Sequence, residues 1–102
     1  MGHHYQELVN DVLTALRYYI KGHRGKIVSV SPMKLLRYSP ELRGKYGTSA
    51  VTLSMINHVL MNHLHECIVE VRELSTKTLI IYDREKLVNF LNKYLNMDKN
   101  TS

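Results

Sequence analysis

Thr48 to His65 reads TSAVTLSMINHVLMNHLH, without a single Lys, Arg, Asp or Glu in a chain of formal net charge +5. At helical spacing Leu53, Ile56, Leu60 and Leu64 form one apolar stripe, which Val59 widens. On the opposite side Ser54, His58 and Asn62 recur every fourth residue, with Val51 and Met55 beside them. Thr48 or Ser49 can cap the first turn, because a short side-chain oxygen satisfies its free N–H groups. The pattern predicts a helix buried on one side and presenting uncharged hydrogen-bonding groups on the other. Two readings stay open at this point. One is a helix that reads DNA; the other is an ordinary core helix with a polar back.

Upstream, Arg43-Gly44-Lys45-Tyr46-Gly47 reads as a basic, glycine-punctuated loop leading into that helix. Before it, Ser31-Pro32 supplies an N-cap and a proline at the first helical position. The helix so started points Met33, Leu35 and Leu36 inward and Lys34 and Arg37 outward. Ser39-Pro40 either ends it or restarts it for one turn through Leu42. Ile27 to Val30 is short, β-branched and strand-like. Tyr5 to Lys21 forms the first helix, with Leu8, Val12, Leu16 and Tyr19 on its inner face and Gly22 as its stop. The loop from Gly22 to Lys26 carries Arg24 and Lys26.

Downstream, the period changes to two. Cys67, Val69 and Val71 alternate with Ile68, Glu70 and Arg72, and Leu79 and Ile81 with Thr78, Ile80 and Tyr82. Leu74-Ser75-Thr76-Lys77 supplies a turn, so residues 67–82 read as a β-hairpin. Asp83 caps a last helix running to Asn96, with Leu87, Phe90, Leu91, Tyr94 and Leu95 on one broad apolar face. That face is either consumed by the core or shared with a second copy. The tail from Met97 to Ser102 reads as frayed.

Charge is unevenly placed. Residues 1–11 carry −2, residues 12–65 carry +7 with Glu41 as their sole acid, and residues 66–102 cancel. A concentrated cationic segment is the footprint of phosphate-backbone binding, against the alternative of a merely soluble surface. The length of 102 residues suits one domain over 1–102, with a core in 5–82 and a C-terminal helix in 83–96. A hydrophobic content of 44% argues against wholesale disorder. Apolar runs fall well short of the roughly 20 residues that span a bilayer, and no signal-peptide pattern opens the chain. Gln6 replaces the Ser or Thr that a Met-Gly myristoylation motif needs. The single cysteine, Cys67, excludes an internal disulfide framework and suits a reducing compartment, so a cytoplasmic protein is expected.

The order helix, short strand, helix, helix, hairpin, helix resembles the winged helix-turn-helix superfamily. The likeness covers roughly residues 5–96 as an order of elements and carries no diagnostic residue motif. It implies an α+β fold with a three-helix core, a short strand, a β-hairpin wing and a C-terminal helix. Small archaeal, plasmid and viral regulators share this build. The stretch from Ser39 to Gly47 departs from it, since a compact helix-turn-helix joins its helices through three or four residues. The resemblance implies double-stranded DNA as partner, with Thr48, Ser49, Val51, Ser54, Met55, Asn57 and His58 nearest the base edges. Arg24, Lys26, Lys34, Arg37, Arg43, Lys45, Tyr46, Arg72 and Lys77 would hold phosphates. The commonest base-specific contact, Arg or Lys to guanine, is unavailable from the 48–65 helix, so modest discrimination and strong salt dependence are expected. A homodimer through Leu87, Phe90, Leu91, Tyr94 and Leu95 would present two such helices.

Rival chemistries are thinly supported. His58, His63, His65 and Cys67 lie close in sequence, but helical spacing puts His58 and His63 on different faces and no second pair completes a zinc site. His3 and His4 suggest cloning design or adventitious metal. Phosphate-binding glycine loops, nucleophile elbows and His-Glu-x-x-His are missing, so no catalytic residues, metal, cofactor or small-molecule substrate are expected. The remaining alternatives are a winged-helix protein–protein assembly module and an RNA-binding adaptor.

Overall fold

The computed structural model describes the backbone of residues 2–100 and the side chains of residues 5–95. His3, His4 and the tail side chains therefore lie outside the described residues. The first helix, α1 (Gly2–Ile20), buries Leu8, Val9, Val12, Leu13, Leu16, Tyr19 and Ile20. Past its end, the His23 ring stacks on Tyr19 at 4.2 Å and its Nδ1–H donates to the Tyr19 carbonyl at 2.8 Å. The same carbonyl, in the last turn of the helix, also accepts the Gly22 N–H at 3.3 Å. Tyr19 in turn donates its hydroxyl to the Ser29 carbonyl at 2.9 Å, which pins α1 to the first strand, β1 (Ile27–Val30).

Two short helices follow, α2 (Pro32–Tyr38) and α3 (Pro40–Tyr46), each opened by the Ser-Pro pair visible in the sequence. Ser31 accepts the Lys34 N–H and Ser39 accepts the Leu42 N–H, both at 3.2 Å. Here the structure departs from the sequence reading. The helix restarted at Pro40 does not stop at Leu42 but continues to Tyr46, so residues 43–46 are helical rather than a loop. Gly44 alone does not break it, because buried Leu42 anchors one side and Lys45 and Tyr46 are bonded back to α1. The chain leaves α3 at Gly47, at φ 82 and ψ −167. Only Gly47 to Ser49 then separates α3 from α4 (Ala50–Asn62), which is the spacing of a compact helix-turn-helix.

Ser49, one of the two candidate caps, accepts the Thr52 N–H at 3.2 Å. Ile56, Val59, Leu60 and Leu64 are buried as the stripe predicts, while Leu53 is only half-buried. Thr52 is buried as well, because its hydroxyl donates to the Tyr46 carbonyl at 2.8 Å and so ties α4 to the end of α3. The helix is shorter than the 48–65 stretch, and a 3-10 turn (His65–Cys67) leads into the hairpin.

Strands β2 (Ile68–Glu73) and β3 (Thr78–Asp83) form that hairpin, and the antiparallel sheet runs in the order β1-β3-β2. Strict alternation in β2 fails. A register shift between Ile68 and Glu70 turns Val69 outward, at 59% exposure, while Ile68 and Val71 pack on the core. One extra residue in an edge strand reverses every side chain beyond it. Ile80, Ile81 and Tyr82 are consecutively buried because β3 is the central strand. Asp83 accepts the Lys86 N–H at 3.0 Å and opens α5 (Arg84–Asn100), whose Leu87 and Leu91 are fully buried.

The fold is thus α+β with winged helix-turn-helix topology. Helices α1, α2 and α4 pack on one another, β1 and the hairpin form the wing sheet, and α5 returns across α1. Among the described residues no helix is long and apolar enough to cross a membrane.

Gly47 is the joint of this arrangement. Its positive φ is a region that side-chain-bearing residues adopt only under strain, although nothing lies within 4 Å of a Cβ placed there. Gly47→Ala should therefore cost about 1–3 kcal/mol through the backbone alone, read as a lower urea midpoint at unchanged m-value.

Candidate nucleic-acid interface

Helices α2 and α4 and the tip of the wing enclose a groove of about 760 Å³. From α2 it is lined by Met33, Lys34 and Arg37, from α4 by Leu53, Ser54 and Asn57, and from the wing by Thr76, Lys77 and Thr78. Local folding explains the arrangement. The Ser31 cap and Pro32 start α2 so that Lys34 and Arg37, three residues apart, share its outer face. The Leu74 N–H donates to the Lys77 carbonyl at 2.9 Å, closing the turn that carries Lys77 to the groove. Among the described residues three cations line this space and no carboxylate does.

Beside the groove lies the outer face of α4. Val51 is 69% and Met55 39% exposed, and Ser54 and His58 are exposed too. Asn57 is half-buried on the groove side. Asn62 donates its amide to the His58 carbonyl and lies against His58 Nδ1, both at 3.0 Å. Thr48 is exposed, whereas the Ser49 hydroxyl is occupied in the cap. His58 on α4 and His63 at its helically folded C-cap keep the different azimuths their spacing implies. Both rings approach Tyr5, at centroid distances of 6.1 and 5.8 Å, and the Tyr5 hydroxyl meets His63 Nε2 at 3.2 Å. His63 is the C-cap of α4, still in helical conformation with its N–H on the Val59 carbonyl. Among the described residues no group of three His, Cys, Asp or Glu is placed to hold a metal ion.

Several cations singled out in the sequence are engaged elsewhere. The Lys45 ammonium bridges Glu7 and Asp11 on α1, with Asp11 at 2.9 Å. Those hydrogen bonds, Glu7 first, hold it charged well above the ordinary lysine range. Tyr46 donates its hydroxyl to the same Asp11 at 2.6 Å. Burial, and next that bond, push its phenol up to about 12. Arg43 donates to the carbonyls of Leu36, at 3.1 Å, and Arg37, so it closes the C-terminal end of α2. Arg72 pairs with Glu70 at 2.9 Å on the exposed wing, and the carboxylate raises the guanidinium pKa further. Arg24 and Lys26 line a different cleft with Asp83, Arg84 and Glu85. Strand register puts that cleft at the far end of the sheet, since Ile27 pairs with Asp83 while Glu73 and Thr78 pair at the wing tip.

Of the residues considered for a dimer contact, Leu87 and Leu91 are spent inside the chain's own core. Phe90, Tyr94 and Leu95 keep partial exposure, with Phe90 stacked on Tyr94 at 6.0 Å and the Tyr94 hydroxyl accepting from Gln6 at 2.7 Å. Sequence reasoning missed Thr76 and Thr78 as groove residues. Their place in the hairpin turn was legible, but the approach of that turn to α2 was not. No protein-family model, curated protein or solved structure matches the chain.

The Tyr46 bond gives an alkaline signature. Unfolded, this phenol ionises near its ordinary value of 10.0; folded, it does so at about 12. The stabilisation is complete below the first value and is lost as the pH rises to the second. Tyr82, shifted upward by its own burial, extends the loss to higher pH. Thermal midpoints measured across this window should fall with pH, and Tyr46→Phe should make the fall shallower.

Proposed function

We propose that the chain binds double-stranded DNA, with α4 in the major groove and the phosphates held from its flanks. The observation that carries this reading is the meeting of Lys34, Arg37 and Lys77 around the groove, with no carboxylate among the described residues lining it, beside a helix face without charge. Cations at such a rim neutralise phosphates and release counterions, which supplies affinity that is independent of sequence. On α4, Ser54, Asn57 and His58 offer hydrogen bonds to base edges, and Val51 and Met55 offer apolar contact to thymine methyls. With neither Arg nor Lys on that face, selection among sequences is modest. The role that fits is a small regulator or a DNA-organising protein. We further propose a homodimer through the outer strip of α5, where Phe90, Tyr94 and Leu95 remain partly exposed.

A second reading is favoured by one observation. Val51 and Met55 form an exposed, uncharged apolar pair that would also suit a protein partner. In that case the domain is an assembly module, and binding to it would be indifferent to salt.

Titration against duplex DNA at two salt concentrations separates the two. Lys34→Ala, Arg37→Ala and Lys77→Ala should each weaken binding on every sequence and lower the salt slope by about 1. Lys45→Ala should change that slope much less, because its ammonium already bridges two carboxylates. Salt-independent binding, or an equal effect from all four variants, refutes the assignment.

A further inference from the structure

Among the described residues, a single buried side-chain polar atom lacks a hydrogen-bond partner: Oδ1 of Asn57. Buried acceptors without donors are uncommon and cost free energy in the folded protein. Position 57 gives no folding reason for the expense. It lies on α4 one turn from Leu53 and next to buried Ile56, on the flank facing α2, where an apolar side chain would leave nothing unpaired. Natural sequences break such a local rule mainly at functional sites.

The surroundings indicate what would pair with it. Asn57 lines the groove together with Lys34, Arg37 and Lys77, which suit phosphates, whereas its own carbonyl needs a donor. A nucleic acid brings both in one molecule, anionic oxygens on the backbone and N–H groups on the bases. In the major groove guanine offers two acceptors, thymine an acceptor and a methyl, and cytosine a lone donor. Adenine alone offers a donor, N6–H, beside an acceptor, N7, which matches the carbonyl and amine of an asparagine amide. Reaching a base requires the amide to turn about its terminal torsion, which is broad in Asn, and the residue as a whole is half-buried rather than enclosed.

We propose that Asn57 is the specificity-determining residue of this surface and selects adenine at one position of the bound duplex. This rests on the DNA reading above and deepens it. Oδ1 accepts from N6–H and Nδ2 donates to N7, while Lys34, Arg37 and Lys77 set the register on the phosphates.

The test uses the full chain. Selection of bound sites from random duplexes should yield a preferred adenine. Replacing that adenine with purine, which lacks the 6-amino group, should weaken wild-type binding about tenfold. Asn57→Ala should bind adenine and purine duplexes equally, with the salt slope unchanged because no phosphate contact is lost. A separate measurement keeps folding apart from reading. Asn57→Leu, close in volume, should unfold at the same or a higher temperature, since no native hydrogen bond disappears. If duplex binds but adenine is not preferred, or Asn57→Ala keeps the preference, this proposal falls and the DNA reading stands. If Asn57→Leu unfolds at a markedly lower temperature, the amide has a structural partner and the proposal falls as well. If no duplex binds at low salt, the DNA reading fails and takes this proposal with it.

Discussion

Everything in this molecule hangs on how α4 is seated on the central strand. Tyr82, fully buried on β3, donates its hydroxyl to the Leu60 carbonyl at 2.7 Å. Around that bond Ile56, Val59, Leu60 and Leu64 close onto the core, with Ile80 beside Tyr82. An apolar stripe can slide along a core at small cost, because hydrophobic burial has no direction. A buried hydrogen bond at one fixed residue cannot slide. Together with the Thr52–Tyr46 bond it fixes where α4, whose apolar stripe already chooses its buried face, sits along its neighbours.

Contacts between distant elements sort the charges. The cations of the middle of the chain, and Lys77 of the wing, are dispersed rather than gathered into one continuous patch. Lys45 is neutralised by Glu7 and Asp11, a contact between residues 34 and more positions apart in sequence. Arg24 and Lys26 lie at the far end of the sheet with Asp83 and Glu85. Lys34, Arg37 and Lys77 stay together at the groove. For a phosphate backbone, local density of cations matters more than their sum over the chain, because exposed charges are screened over about 10 Å at moderate salt. A net charge of +5 is therefore a poor guide to where an anion would sit.

Much of the fold was legible in local chemistry. The Ser-Pro pairs mark the starts of α2 and α3, Asp83 that of α5, and Ser49 was one of two candidate caps for α4, because an N-cap acts over three residues. The hairpin turn at 74–77 and the stripe of α4 were equally plain, since both follow from short-range periodicity. The errors lie where distant residues intervene. Residues 43–46 have the glycine and charge of a loop, yet Asp11 and Glu7 hold them helical from across the fold. Val69 has the right parity to face inward, and a bulge in the edge strand turns it out.

The sequence by itself determined the helix starts, the hairpin, the apolar stripe of α4 and its absence of charge, because these depend on neighbours within a turn or two. Only the tertiary structure decided which cations meet at the groove, and that, among the described residues, Asn57 carries an acceptor without a donor. Both depend on contacts between α1 and α3, or among α2, α4 and the wing, and no local pattern encodes such distances. The helix at 50–62 thus owes its amphipathic form to its own residues and its setting beside a basic groove to the rest of the chain.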